Sequence, residues 1–554
     1  TRVLSKRHSD AQVFAAAAML DGSFVELMNG QGKTYALALA AATRAATGES
    51  VEIITTREEH AHETFELLKP LYEALGIQAA VVDRELTLQE RQAAYASDIT
   101  YVCAGQVLHD YLQDRVVLQS ETSRPLLALE QLLNPEQARL GQLMLTGLHC
   151  AFVHDVDQVL IDDAQRPISV IDGRQENDLH LAHVEALKLA RGLSEGVHFT
   201  VDPDAWQVSW TEAGERQLEL ACGPLPGAFQ REAWRSSVVL EALVVLHLWQ
   251  RGVTHTFEEK RLQLTELGAQ HFGSGRGSLV ALLDLVETGE DSPGVFPQRR
   301  MSLPRFFRRY QRLAGCASTL SEVRTELSLS YDLHVLCVPQ LAGEAPAFHQ
   351  RHAYMTREQS QMALTERLRA ITDVGEAALV GVRSEVSLEA LFSHLVEHGL
   401  NVSKVQLSGV GLPIGQELSC AGESGRVTLL PARGFRADRV AEPGRLHVIA
   451  AEPSATLRLD RVLFGHAVGS AVGRPLESFV ALDDPLLEST RSEFMSYTMQ
   501  RVAQPSGQLP ERILRPFVRR AQKRQERELY DRRQATLNAE ESFGAVLAFG
   551  GGDH

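Results

Sequence analysis

Asn29-Gly30-Gln31-Gly32-Lys33-Thr34 is the stretch whose reading decides the fold. Gly30 and Gly32 let the backbone bend so that successive N–H groups face one anion. Lys33 adds a fixed positive charge for phosphate oxygens, and Thr34 puts a hydroxyl where a Mg2+ ion carried by a nucleotide would sit. This is most of a phosphate-binding Walker A loop, with Leu27 where the first glycine of the full pattern belongs. The plainer reading is a glycine-rich turn that caps a helix. Working outward, residues 35–46 are rich in Ala and Leu at helical spacing, and Val51-Glu52-Ile53-Ile54-Thr55 reads as a short buried strand. Loop, helix and parallel strand in that order predict an α/β nucleotide-binding module.

The chain has 554 residues, enough for three or four domains with separate cores. Hydrophobic residues make up 44% and charged residues 23%, the balance of an ordinary soluble composition. No run approaches the roughly 18 apolar residues that span a bilayer, so any membrane contact is expected to be peripheral. With 71 acidic against 55 basic residues the formal charge is −16, which argues against sequence-independent binding to nucleic acid. The six cysteines, Cys103, Cys150, Cys222, Cys316, Cys337 and Cys420, have no C-x-x-C spacing, and are expected to be buried reduced thiols of a cytoplasmic protein.

Further motifs stand in a fixed order along the chain. Arg7-His8-Ser9-Asp10-Ala11-Gln12 precedes the loop; Tyr95, Asp98, Ile99, Thr100 and Tyr101 follow it, then Asp110-Tyr111-Leu112-Gln113-Asp114. Val156-Asp157-Gln158-Val159-Leu160-Ile161-Asp162-Asp163-Ala164 comes next, with Pro167 behind it. Together with Gly30-Gln31-Gly32-Lys33-Thr34 these segments resemble, in order, RHFDVQ, GEGKT, YAADITY, DYLRD and VDSILIDEA of the SecA preprotein translocase ATPases. The resemblance runs from Arg7 to about Leu537. It implies two P-loop, helicase-like parallel α/β motor domains, an inserted α+β clamp domain and a basic C-terminal helix. The expected divisions are 1–171 and, after the insert, 305–346 for the first motor domain, 172–304 for the clamp, 347–507 for the second motor domain, and 508–554 for a shortened scaffold helix and flexible end.

The resemblance assigns nucleotide binding to Arg7, Gln12, Gly30, Gln31, Gly32, Lys33 and Thr34. Gln12 is the residue expected to read adenine, since an amide accepts and donates at once. Thr34 is expected to meet Mg2+ that arrives with ATP. Strands are predicted at 51–55, 99–104 and 151–156 and a helix at 59–68 in the first domain. In the second domain strands are predicted at 377–382, 402–407, 427–430 and 446–451, with a helix at 388–398. The insert carries a predicted hairpin and helix over 196–214, in which Trp206 and Trp210 are either hairpin core or an apolar surface for peptide.

Several motifs depart from the family pattern. Where the family has DEVD this chain has His154-Asp155-Val156-Asp157. A histidine is a poor partner for hard Mg2+, and Asp155 is one methylene shorter than the glutamate that orients the attacking water. Asp155 and Asp157 are the acids left at the catalytic position. A register slip giving Asp155 the metal role leaves no acid to place the water. Cys316-Ala317-Ser318-Thr319 stands where MTGT couples hydrolysis to domain movement, and 264–270 has lost the TGR segment. Gly434-Phe435-Arg436-Ala437-Asp438 stands for GRGTD, keeping Arg436 and Asp438 as nucleotide contacts. His466 and Gly469 occupy the two arginine-finger positions, each worth about 10³–10⁵ in rate.

Three readings remain open. The first is an ATP-binding SecA-like protein in protein export, with weak or lost hydrolysis, serving unfolded preprotein and a membrane translocase channel. The second is a non-catalytic scaffold or regulatory paralogue that binds polypeptide or a translocase partner. The third, a nucleic-acid remodeller, fits the acidic balance least. The run Arg512, Arg515, Arg519, Arg520, Lys523, Arg524, Arg527, Arg532 and Arg533 reads as a solvated helix face or as a contact for a partner or for anionic lipid at the inner face of the plasma membrane. Thr1-Arg2-Val3-Leu4 resembles the residues just before the adenine-reading segment, so an N-terminal portion is expected to precede it. The two-helix finger, wing and zinc-binding tail of the family have no counterpart in the sequence.

Overall fold

The computed structural model describes residues 3–28, 30–118, 124–134, 138–165, 168–171, 176–202, 207–222, 229, 232–251, 254–258, 261–264, 279–288, 297–339, 349–405, 421–431, 446–468, 476–488 and 508–548. Two seven-stranded sheets dominate it.

In the first sheet the spatial order is Val335–Cys337, Phe24–Glu26, Arg312–Ala317, Cys150–His154, Val51–Thr55, Ile99–Cys103 and Ala79–Val82, all parallel. Its central strands are buried on both faces, which is why they read as largely apolar runs. Alternate residues feed two cores. Phe24, Ile54 and Val153 pack on one side with Val107, Leu160 and Phe306, and Val25, Ile53 and Phe152 on the other with the alanine-rich helices Asp10–Leu20 and Lys33–Ala45. Small side chains let those two helices lie close over the strand that precedes the phosphate loop. The helix predicted at 59–68 spans Glu58–Leu75, continuing past Pro70.

The second sheet runs Val402–Lys404, Val427–Pro431, Ala377–Val382, Leu446–Ala450, Leu476–Ala481, His349–Tyr354 and Gln508–Leu509, parallel except at the last pairing. Between the two, the chain leaves and re-enters through a separate antiparallel pair, Ile168–Ile171 with Pro297–Met301. The segment so enclosed has its own core, built from Glu176–Arg191, Glu232–Leu248 and Leu279–Thr288 around Phe199, Leu243 and Leu283. Its hairpin, Phe199–Asp202 with Gln207–Trp210, leads into Glu212–Cys222. Trp210 packs on that core and donates its indole N–H to Ser236 Oγ at 3.0 Å, so it belongs to the hairpin interior. Trp206 lies outside the described residues.

The last helix, Glu511–Ala548, straps the two sheets together. Gln522 donates to Asp460 Oδ2 at 2.6 Å and to Ser454 O at 3.1 Å on the second, while Arg533 makes a bidentate pair with Glu326 at 2.6 and 2.7 Å on the first. The expectation of a wholly solvated basic face is corrected at Arg533, which is buried because an acid on the other element compensates it. A second correction concerns the cysteines. Cys103, Cys150, Cys222 and Cys316 are buried free thiols, but Cys337 is exposed at the edge strand of the first sheet, and Cys420 lies outside the described residues.

One buried acid makes stability depend on pH. Glu52 sits inside the first core, where burial pushes its carboxyl from the usual 4.5 up to about 7, although Tyr310 donates a hydrogen bond to it. Below about pH 4.5 both folded and unfolded states hold the proton and nothing is lost. As pH rises toward 7 the unfolded chain ionises first, so stability falls by about 3 kcal/mol across that window and stays lower above it. Glu52→Gln should remove that component. Chemical denaturation at pH 5 and pH 8 should show the variant gaining on the native chain as pH rises, and equal pH dependence in both would contradict the assignment.

Candidate functional site

The site lies at the carboxyl edge of the first sheet, where the loop after Phe24–Glu26 and the end of Cys150–His154 meet with Arg312–Ala317 between them. Gly30 and Gly32 have φ of 84° and 76°, the left-handed region open to glycine, and Gly32 caps the helix Lys33–Ala45. The loop is held from inside and outside. Gln31 Oε1 accepts the Met28 N–H at 3.0 Å, and Gln12 Nε2 donates to Gln31 O at 2.8 Å. Gln12 Oε1 also accepts the Ser9 N–H at 3.2 Å, completing a capping box on the helix Asp10–Leu20. Each end of the amide expected to read adenine makes one bond to the protein, and these bonds tether the loop. Arg7 is exposed beside it.

Lys33 points along the loop to Asp155, Nζ to Oδ1 at 2.9 Å, with both side chains largely buried. Burial pulls the Lys33 pKa down, but the carboxylates of Asp155 and Asp157 outweigh it and hold the ammonium above its ordinary value. Asp155 reaches Lys33 because it leaves the strand with φ of 59°, a conformation that aspartate tolerates better than most residues. Next to it His154 is buried, its Nε2 3.3 Å from Thr34 Oγ1 and its Nδ1 3.0 Å from Asp155 Oδ2. His60, the third residue of Glu58–Leu75, meets the His154 ring edge to face at a centroid distance of 4.6 Å.

Asp157, the second acid expected at the catalytic position, is buried. Burial raises its pKa, against the opposing effect of Arg458 4.0 Å away, and Thr319 donates a hydrogen bond to it. That contact ties the turn after Arg312–Ala317 to the acid despite the altered 316–319 sequence. Arg458 also pairs with Asp162, and Arg461 donates to Glu26 at 2.9 Å and to Glu322 at 2.7 Å. Glu26 accepts further from Leu320 N, Ser321 N and Ser321 Oγ; burial pushes its pKa up, but these donors and Arg461 hold it below the usual range.

The helix Leu457–Val468 thus presents Arg458 and Arg461 to the first sheet. Sequence reasoning aligned the arginine-finger positions with His466 and Gly469, neither of them an arginine, and did not single out Arg458 or Arg461. The His466 side chain and Gly469 lie outside the described residues, as do Gly434, Arg436 and Asp438. His60 was missed as well. Its only signal was its place just after the strand Val51–Thr55, which turns out to neighbour Cys150–His154.

The donor set fits a phosphate better than it fits Mg2+. A helix N-terminus carrying Lys33 and Thr34 suits an anion. Mg2+ asks for oxygen ligands in near-octahedral array, and the side chain facing Thr34 is an imidazole.

The family model described as the SecA DEAD-like domain matches residues 1–328. The protein translocase subunit SecA 2 of Bordetella avium is 30% identical over 99% of this chain and 84% of that protein. The SecA 2 subunit of Magnetococcus marinus is 28% identical over 99% of this chain and 86% of that protein. Among solved structures, S. cerevisiae Dbp5 bound to RNA and ADP BeF3 aligns with a TM-score of 0.40 at 12% identity, covering 86% of this chain and 84% of that one.

Gly32 tests the geometry of the loop. A Cβ there would stand 2.3 Å from Gln12 Nε2, at a backbone angle that disfavours any side chain. Gly32→Ala should displace the Gln12 amide and cost more than the roughly 1 kcal/mol of a tolerated surface change. Thermal melting of the variant checks it, and an unchanged melting temperature would contradict the tether.

Proposed function

The chain belongs to the SecA family, and from that membership we propose that it acts in protein transport as a nucleotide-binding member whose ATP hydrolysis is weak or lost. The observation that carries this reading is the company of Lys33. Its loop and helix N-terminus supply the phosphate cradle, while the acid it pairs with is Asp155 and the second acid, Asp157, is engaged by Thr319 and Arg458. ATP, when bound, supplies the phosphoryl groups and the free energy of their transfer. In this chain Gly30, Gln31, Gly32, Lys33 and Thr34 would hold them, with Arg436 and Asp438 as further contacts from the second domain. Asp157 is committed to Thr319 and Arg458, so orientation of an attacking water falls to Asp155 alone, which is short for the task.

Preprotein and a membrane translocase channel are the partners this reading implies, with 172–304 as the polypeptide clamp and no nucleic acid. The site of action is the cytoplasmic side of the membrane. No helix among the described residues is long and apolar enough to cross one, and the exposed arginines of Glu511–Ala548 are available to anionic lipid.

ATP should raise the melting temperature, by about 2.7 kcal/mol of stability at 100 times Kd, and Lys33→Ala should abolish the rise. Steady-state ATPase should be near background with and without unfolded polypeptide. Restoring the lost groups together, His154→Asp, Asp155→Glu, His466→Arg and Gly469→Arg, should raise turnover far more than any single change, because such groups act as a unit. An unmoved melting temperature in saturating ATP would leave the scaffold reading instead. A robust rate in the native chain that Lys33→Ala removes would overturn the loss of hydrolysis.

A further inference from the structure

We infer that His60, His154 and Asp155 form a binding site for a divalent first-row transition cation of the borderline-soft class, such as Zn2+ or Co2+. A ligand nitrogen or oxygen from each of the three lies within 4.8 Å of the others. Two imidazoles and a carboxylate are the donor set such cations prefer and Mg2+ does not.

The local geometry favours coordination over simple packing. His154 is 5% exposed, and its Nδ1 has no hydrogen-bond partner although Asp155 Oδ2 is 3.0 Å away. A buried ring nitrogen left in that state is unusual, and the direction it faces is the direction of the cluster. Its other nitrogen, Nε2, lies 3.3 Å from Thr34 Oγ1. With the proton on Nε2 and donated to the hydroxyl, the lone pair sits on Nδ1, which is how a second partner fixes the tautomer of a metal-binding histidine. His60, 8% exposed, approaches edge to face with its ring at 81° to that of His154.

Tetrahedral coordination at about 2.0–2.1 Å needs ligand atoms about 3.3 Å apart. Asp155 directly follows Cys150–His154 and His60 opens the helix after the neighbouring strand Val51–Thr55, so the proposal asks only side-chain rotation of the two to close the difference. Asp155 meets Lys33 through Oδ1 and His154 through Oδ2, so the cation does not require the Lys33 contact to break. Three protein ligands leave a fourth tetrahedral position for water.

The inference does not rest on nucleotide binding, and its test uses none. The full chain, in a Cys337→Ser background, is stripped with a chelator and titrated with Co2+ while its ligand-field absorption is followed. Zn2+ affinity is then measured by competition with a chromophoric chelator. One equivalent of Co2+ should bind with a spectrum of nitrogen and oxygen ligation, Zn2+ should displace it, and Mg2+ should not. His60→Ala and His154→Ala should each weaken Zn2+ by at least about tenfold. His60→Gln serves in place of any variant whose melting temperature in chelator shows it misfolded.

Absence of saturable one-to-one binding, native-like affinity in a folded His60 variant, or sulfur-to-cobalt charge-transfer absorption would each overturn the site. A failure of ATP to stabilise the chain would overturn the functional reading above and leave this one untouched.

Discussion

The late strand Arg312–Ala317 lies between Phe24–Glu26 and Cys150–His154, and the candidate site depends on how closely those three strands approach. Gly315 sets that distance. A Cβ at Gly315 would stand 2.3 Å from Val153 O and 2.7 Å from Val156 Cγ2, so the turn after Cys150–His154 folds directly over a residue without a side chain. That fold-over brings Asp155 round to Lys33 and leaves Asp157 facing Thr319. One close approach therefore joins the phosphate loop, the acid-bearing turn and the turn after the third strand.

From there the connections run outward to the second sheet. Asp157 is shared between Thr319 and Arg458, Glu26 between the 320–321 turn and Arg461. Both arginines belong to Leu457–Val468, the helix after Leu446–Ala450. Burying such charges costs desolvation that their pairing only offsets, so these contacts specify how the two sheets meet more than they add stability. The Glu511–Ala548 helix, bound to Asp460 on one side and Glu326 on the other, resists separation of the two.

The parallel α/β character was legible because doubly buried strands such as Val51–Thr55 and Ala377–Val382 are largely apolar, β-branched-rich runs in alternation with helical segments. The strands that escaped include the buried Leu476–Ala481, the apolar Ala79–Val82 and the later strand Arg312–Ala317 as well as shorter or more polar ones. Phe24–Glu26 spans three residues, and His349–Tyr354 carries two histidines and an arginine. The phosphate loop was legible because its chemistry is local. The rest of the site comes from pairings distant in sequence. Nothing in the spacing tells that His60 faces His154, that Gln12 holds Gln31, or that Arg458 and Arg461 face the first sheet, since each depends on which strands become neighbours. Asp155 was read as an acid too short for water, which its backbone turn toward Lys33 explains only after the fold is known.

Lys33 is held by Asp155, and under the proposed function nucleotide phosphate would take the place of that carboxylate. Calorimetric titration of ATP into the native chain and into Asp155→Asn, both in chelator so that no divalent cation contributes, tests it most directly. The account predicts tighter binding to the variant, because the neutral amide holds the ammonium less and repels phosphate less. Equal or weaker binding would contradict it.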